Sequence, residues 1–374
     1  MSFSRRDFLK QAAVTASVVG WSNIASRGSS LPAGSPSPDD KPLGYAVVGI
    51  GQLTKGQVIP AFRNTKQSRL TGFVSGDREK ALRWASDYGV PEKNIYNYQN
   101  YDEMASNPDI EAVYIALPNN MHAEYTIRAA RAGKHVLCEK PMANSVADCQ
   151  EMIDACKRAN RGLMIGYRLQ YEPNNLEAVR MVRSNELGLL KFIDAEFAFI
   201  IGDPTQWRLK MDMAGGGPLV DIGIYCIQAA GYLSGEDPVR VTAHSWTTDP
   251  VKFREVEENI TFTLQYPSGL AVNCFSSYGL SGLNRYRALG PKGWVEMDPA
   301  YSYRGLRLKV SLGGEVEDRT RPVGDQFARE IDRFTEDIRA GRNPKASGEM
   351  GLRDTRIIKA IYEAARTGAP VAIP

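Results

Sequence analysis

The sequence predicts an α/β protein in two parts: a doubly wound parallel sheet, then an α/β domain built on a large open antiparallel sheet. Three observations predict it. Between residues 43 and 166 short apolar runs alternate with helical stretches, the signature of parallel strands covered on both faces. From residue 191 the chain reads as successive strands closed by two long helices. The length, 374 residues, exceeds one ordinary domain and suffices for two cores.

The first strand, Tyr45–Val48, runs straight into Gly49 and Gly51, and a helical stretch begins near Leu53. Such a corner suits a pyrophosphate. Gly49 permits the tight turn, Gly51 lets phosphates approach the backbone, and the helix start offers free N–H groups. Gln52 and Leu53 fall in the same corner. The usual third glycine is displaced, with Thr54 in its place and Gly56 following. Taken alone, the stretch also reads as a plain strand–turn–helix corner. Four more strands follow: Leu70–Val74, Ala112–Ala116, His135–Cys138 and Leu163–Ile165. Helices lie near Val58–Asn64, Glu79–Tyr88, His122–Ala132 and Ser145–Arg161.

The loop after the second strand selects the nucleotide. An acid there would bind a ribose hydroxyl. Here Ser75 takes that place, and Arg78 and Lys80 follow. A hydroxyl and two cations suit a 2′-phosphate, hence NADP. Asp77 is the competing choice, a ribose acid two residues late that would favour NAD. At the end of the third strand, Leu117 and Asn119 approach the nicotinamide ribose. His122 falls on the first helical turn, where capping and packing compete with a catalytic role.

The fourth strand ends in Glu139-Lys140-Pro141. The proline, expected in the cis form, holds two charges near the cleft. An ammonium there bonds a sugar hydroxyl and favours a neighbouring phenolate or alkoxide. A surface ion pair is the plainer reading of that tripeptide.

Charge and targeting narrow the setting. Net charge is +3, but four of the 46 basic residues and one of the 43 acidic ones fall within residues 1–33, so the remainder balances. Nothing points to nucleic acid or an anionic membrane. Arg5-Arg6-Asp7-Phe8-Leu9-Lys10 and the mildly apolar run Ala12–Ile24 resemble a twin-arginine export signal. The run is too short and polar to span a membrane, so no anchor is expected. Residues 1–33 read as that signal and residues 34–42 as a Pro/Ser/Gly-rich linker or arm. The twin-arginine export machinery would carry the folded chain, cofactor inside, to the periplasm. The five cysteines show no paired spacing and are expected to be free and buried. Three histidines without ligand spacing make a metal site unexpected.

Several motifs then agree at once. LPNNMHAE (117–124), AGKHVLCEKPMA (132–143), MIGYRLQYEP (164–173), QWRL (206–209), AGGGPLVDIGIY (214–225) and IYEAARTG (361–368) resemble the glucose–fructose oxidoreductase, inositol dehydrogenase and rhizopine-catabolism family. The likeness runs from Leu43 to the C-terminus, most strongly toward its periplasmic glucose–fructose oxidoreductase branch. It implies an N-terminal Rossmann domain at 43–166 and a substrate and oligomerisation domain at 167–374, whose last helix packs back on the first. It carries over Lys140 as catalytic lysine, Asp221 as substrate-orienting acid and Tyr225 as acid/base tyrosine. Lys140 is expected to lower the tyrosine's pKa. Glu139, Arg168, Trp207 and Arg208 fall near the nicotinamide or its phosphates, and Tyr167 and Tyr171 near the sugar.

The second half fits on its own reading. Lys191–Ile200, Val239–Trp246, Asn259–Tyr266, Ala271–Ser276, Arg285–Leu289, Gly293–Met297 and Leu306–Ser311 read as strands in antiparallel order. Phe327–Ala340 and Met350–Thr367 read as helices. One face of the sheet is expected on the Rossmann domain and the other free for a partner subunit, in a dimer or tetramer. The expected activity is oxidation of an aldose at C1 to the lactone. Tightly bound NADP would pass the hydride to a second sugar, in a glucose–fructose or aldose–aldose exchange. An NAD-dependent glycoside hydrolase, a simple sugar dehydrogenase and a non-catalytic sugar-binding protein are the other readings.

Overall fold

The computed structural model describes residues 41–322 and 324–374. The expected export signal and nearly all of the linker lie outside these residues. Among the described residues no helix is long and apolar enough to cross a membrane.

The first sheet is parallel throughout. Its strands are β1 (Leu43–Val48), β2 (Ser68–Val74), β3 (Ile95–Tyr96), β4 (Ala112–Ile115), β5 (His135–Glu139) and β6 (Leu163–Gly166). They lie in the order β3-β2-β1-β4-β5-β6. All six residues of β1 are buried, as a strand covered on both faces requires. Strand order reverses between β1 and β4, and ligands of such sheets bind outside the carboxyl ends at that reversal. β3, two residues at the edge, is too short to show a period in the sequence.

Local chemistry sets the helices. After β1 a π-turn, Thr54–Val58, runs into the single turn α1 (Ile59–Ala61). α2 (Arg78–Tyr88) starts at Asp77, whose carboxylate accepts the Lys80 N–H at 2.9 Å, a standard N-cap. α3 (His122–Arg131) and α4 (Val146–Arg158) follow, α4 capped by the Ser145 hydroxyl. α5 (Pro173–Arg183) opens the second half on a proline, with the Glu172 carboxylate as its cap.

The second sheet contains β7 (Phe192–Ala198), β8 (Arg240–Trp246), β9 (Asn259–Gln265), β10 (Ala271–Ser277), β11 (Asn284–Gly290), β12 (Gly293–Met297), β13 (Leu308–Leu312), β14 (Glu315–Asp318) and β15 (Val371–Ala372). Their order is β14-β13-β12-β11-β7-β10-β9-β8-β15. One pairing corrects the expected antiparallel order: β7 and β10 run parallel. Between β7 and β8 the chain leaves the sheet through α6 (Met211–Ala214) and α7 (Ile224–Ser234). It re-enters near the far edge, so the meander β8-β9-β10 meets β7 running the same way. A long crossover of this kind is what parallel neighbours need.

The sheet's covered face also departs from expectation. It packs on α5, α7 and α9 (Gly348–Thr367) rather than directly on the first sheet. The long C-terminal helices then join the halves. α8 (Gln326–Arg339) lies on β2 and β5, where the Tyr45 and Thr335 hydroxyls meet at 2.9 Å. α9 packs on α4 and β6. One buried apolar cluster runs through both halves, and all five cysteines are free and buried.

The corner after β1 generates a test. Gly49 has φ +92°, and a Cβ there would lie 2.6 Å from the Ala116 carbonyl oxygen. Gly49→Ala should therefore destabilise by ~2–4 kcal/mol, measured by chemical unfolding. Gly51 has nothing within 4 Å of its would-be Cβ. Gly51→Ala should stay within ~0.5 kcal/mol of the parent and affect only what enters the cleft.

Candidate active site

A cleft of about 1090 Å³ opens at the carboxyl ends of the first sheet and extends to the second. Its near wall is the glycine corner: Gly49, Gly51, Gln52, Leu53 and Thr54. Beyond it lie Ser75, Asp77, Lys80 and Tyr98. Asp77 spends one carboxylate oxygen on the α2 cap, while the Ser75 hydroxyl accepts the Asp77 N–H at 3.1 Å. Leu117, Asn119 and His122 line the middle. The Asn119 amide donates to the Ala214 carbonyl at 2.9 Å. His122 is clamped between the Pro141 and Leu117 carbonyls at 2.9 and 3.0 Å. Burial lowers its pKa, and both ring nitrogens face backbone, so it braces two loops.

The floor of the cleft holds three side chains from two stretches of the chain. Lys140 stands just past β5, before a cis Lys140–Pro141 bond. Asp221 sits in the π-turn Leu219–Gly223, and Tyr225 in α7 directly after it. The Lys140 ammonium donates to the Asp221 backbone carbonyl at 2.6 Å and to its carboxylate at 3.1 Å. The other carboxylate oxygen accepts from Arg208 at 3.0 Å and from the Tyr278 hydroxyl at 2.9 Å. Burial pushes the Asp221 carboxyl up, but Lys140 and Arg208 outweigh it and hold it far below the usual range. Burial pulls Lys140 down, yet Tyr225, Asp221 and Glu139 leave its pKa above the ordinary value. The pair is therefore ionised at neutral pH. The ammonium also lies 4.9 Å from the centre of the Tyr225 ring, and Arg168 reaches the phenol oxygen at 3.3 Å.

Comparison with known proteins gives the family. Residues 43–167 match the family model described as "Oxidoreductase family, NAD-binding Rossmann fold". Residues 175–296 match the GFO/IDH/MocA C-terminal domain. The chain belongs to the GFO/IDH/MocA oxidoreductase family. Among its relatives is the D-xylose 1-dehydrogenase [NADP(+)] of Haloarcula marismortui, 31% identical over 89% of this chain and 93% of that one. The solved aldose-aldose oxidoreductase from Caulobacter crescentus, complexed with glycerol, superposes with a TM-score of 0.86. It is 48% identical, covering 89% of this chain and 100% of that one. Levoglucosan dehydrogenase, 23% identical with a TM-score of 0.78 over 89% of this chain and 100% of that one, shares the fold.

Within this GFO/IDH/MocA cleft several expected residues sit elsewhere. Arg78 does not line it, but pairs with Glu92 at 2.6 Å. Consecutive helical residues point about 100° apart, so Lys80 faces the cleft and Arg78 does not. Arg168, Trp207 and Arg208 do line the cleft, with Arg168 and Arg208 beside Tyr225 and Asp221. Arg168 also donates to the Tyr301 carbonyl at 2.6 Å and to Gln326, and Arg208 stacks on Trp207 at 4.7 Å. Tyr167 and Tyr171 do not reach the cleft. Tyr167 is buried behind Lys140 and Tyr225, lining a small separate cavity. The Tyr171 hydroxyl turns to the Met164 sulfur at 3.4 Å. The short turn after β6 points Arg168 at the cleft and packs both tyrosines into the core.

Sequence reasoning missed Tyr278, Tyr301, Tyr303 and Glu330. Tyr278 directly follows β10, and a tyrosine just past a strand end was the available signal. Tyr301 and Tyr303 lie on a long loop with no period. Glu330 comes from α8, far along the chain. Its fully buried carboxyl faces the Tyr114 hydroxyl at 3.5 Å, while that hydroxyl donates to Glu139 at 2.7 Å. Among the described residues neither carboxyl has a salt-bridge partner. Burial, with Glu139 beside it, pushes Glu330 well above the carboxylate range.

This raised pKa gives a pH test. Above the folded-state pKa, Glu330 charges the interior at a cost that Gln would not carry. Near the unfolded value of 4.5 the acid is protonated in the fold and the cost disappears. Glu330→Gln should raise the thermal midpoint by ~2 °C or more at alkaline pH. The gain should vanish as pH falls to about 4.5.

Proposed function

We propose that this protein is an exported, NADP-dependent sugar oxidoreductase that oxidises an aldose at C1 to the lactone and reduces a second sugar at the same site. The observation that carries the reading is the convergence of a fixed ammonium, Lys140, with the Tyr225 phenol at the floor of a cleft whose near wall is a bare glycine corner. The 48% identity to an aldose-aldose oxidoreductase supports the sugar exchange. The NADP(+)-named relative supports the coenzyme, as do Ser75 and Lys80 at the cleft's far end. Gly51 fits a pyrophosphate because nothing of the protein occupies the space beside its Cα.

When bound, NADP supplies a nicotinamide that accepts hydride from C1 of the first sugar and returns it to the second. The protein moves the proton. Tyr225 takes it from the C1 hydroxyl and gives it back when the second sugar is reduced. The Lys140 ammonium faces the phenol ring and Arg168 donates to its oxygen, so positive charge stands beside the group that changes charge. Asp221 is spent on Lys140, Arg208 and Tyr278. Its task is to hold those donors toward the sugar rather than to bond the sugar itself.

The twin-arginine motif supports delivery to the periplasm, where coenzyme retained in the fold is recycled in place. The open face of the second sheet supports a homo-oligomer, a dimer or tetramer. On it the exposed His244 and Trp246 and the half-buried Phe275 stack in a row, with centroids 5.6 and 6.0 Å apart. A simple sugar dehydrogenase is the second reading, favoured by the D-xylose relative. Native mass spectrometry separates the two. Retained NADP, with conversion of a sugar pair needing no added coenzyme, is the expected result, and an empty protein that needs dissolved coenzyme contradicts it. Tyr225→Phe should lower kcat by ~10²–10⁴-fold with nucleotide still bound; full turnover would refute the acid/base assignment.

A further inference from the structure

The turn that starts the Tyr225 helix has no cap of its own. Gly215-Gly216-Gly217-Pro218 leads into Leu219, and no side chain of that segment bonds the free N–H groups. A remote carboxylate meets them instead. Glu257, on the loop between β8 and β9, accepts the Gly217 N–H at 3.0 Å and the Leu219 N–H at 3.1 Å. The Tyr362 hydroxyl of α9 donates to the same carboxylate at 2.9 Å. Negative charge at a helix start also meets the positive end of its dipole.

The glycines are shaped to these partners. A Cβ on Gly216 would fall 2.0 Å from the Tyr362 oxygen, and one on Gly217 would fall 2.4 Å from the Glu257 carbonyl oxygen. The turn is thus pressed against Glu257 and Tyr362 with no room for a side chain. Four residues past Gly217, the Asp221 carbonyl and carboxylate hold Lys140, and the Asp221 N–H points back at the Gly217 carbonyl at 3.4 Å. A shift at residue 217 therefore reaches the ammonium and the phenol together.

We propose that Glu257, braced by Tyr362, is a positioning residue: it anchors the turn that carries Asp221 and Tyr225 and so sets the distance from the phenol to a bound sugar. The inference rests on the reading of Tyr225 as the acid/base group. Neither Glu257 nor Tyr362 lines the cleft, so neither touches sugar or coenzyme.

The test uses the nucleotide-loaded protein. Glu257→Gln keeps the shape but turns an amide N–H₂ toward a backbone N–H. Its kcat should fall about tenfold or more while sugar KM and bound nucleotide stay within about twofold. Amide hydrogen exchange over residues 217–225 should quicken about tenfold without change elsewhere. Tyr362→Phe keeps both backbone bonds and should cost only about two- to threefold in kcat. Gly216→Ala should lose activity, because its Cβ would meet the Tyr362 oxygen at 2.0 Å and ring carbon Cζ at 2.8 Å. Unchanged kcat in Glu257→Gln would overturn the proposal, even with faster local exchange. So would faster exchange spread over the whole chain with kcat per folded molecule intact. A parent protein inactive on every sugar would refute the oxidoreductase reading instead, and local exchange at 217–225 would still decide the anchor.

Discussion

The ion pair between Lys140 and Asp221 is the contact on which the cleft depends. Two charges are largely withdrawn from water at the cleft floor, one at the end of a parallel strand and the other in the turn before a helix of the second half. Each is costly to bury without its partner. Their geometry reduces that cost, because the ammonium bonds both a carbonyl and a carboxylate, and Arg208 and Tyr278 occupy the remaining oxygen. Four side chains from four places in the sequence thus share one arrangement. It fixes positive charge in the cleft, beside a phenol that is boxed by Phe197 and Tyr301.

The rest of the fold brings those places together. The first sheet ends β5 at Lys140, and its strand reversal opens the cleft beside it. The second sheet places Tyr278 and, through the long crossover, Asp221 and Tyr225. The C-terminal helices keep the halves from acting as separate bodies. α8 inserts Glu330 behind Glu139 and Tyr114, and α9 packs on the first half while reaching the start of the Tyr225 helix with Tyr362. A buried carboxyl pair sharing one phenol is costly in an apolar interior.

Much of this was legible in the sequence, for physical reasons that differ by residue. Buried parallel strands are apolar throughout, so β1, β2, β4, β5 and β6 stood out, while the two-residue β3 did not. Gly49 was legible because only a left-handed turn joins that strand to that helix. Lys140, Asp221 and Tyr225 were legible through motifs and a family likeness rather than through periodicity. Contacts made by long-range packing were not. Arg168 lies in a motif, but its meeting with Tyr225 depends on how the short turn after β6 packs. Tyr278 and Glu330 come from segments with no motif, and only the tertiary fold carries them to Asp221 and Glu139. The parallel pairing of β7 and β10 is hidden from the sequence because it depends on the long crossover through α6 and α7.

The most direct test of the central interaction is a double-mutant cycle in equilibrium unfolding at neutral pH, with Lys140→Met, Asp221→Asn and the two combined. If the pair is one buried unit, each single change strands a charge and costs ~3–5 kcal/mol, and the double change costs well under their sum. Losses that simply add would show that Lys140 and Asp221 are held independently, and the cleft would then have no such keystone.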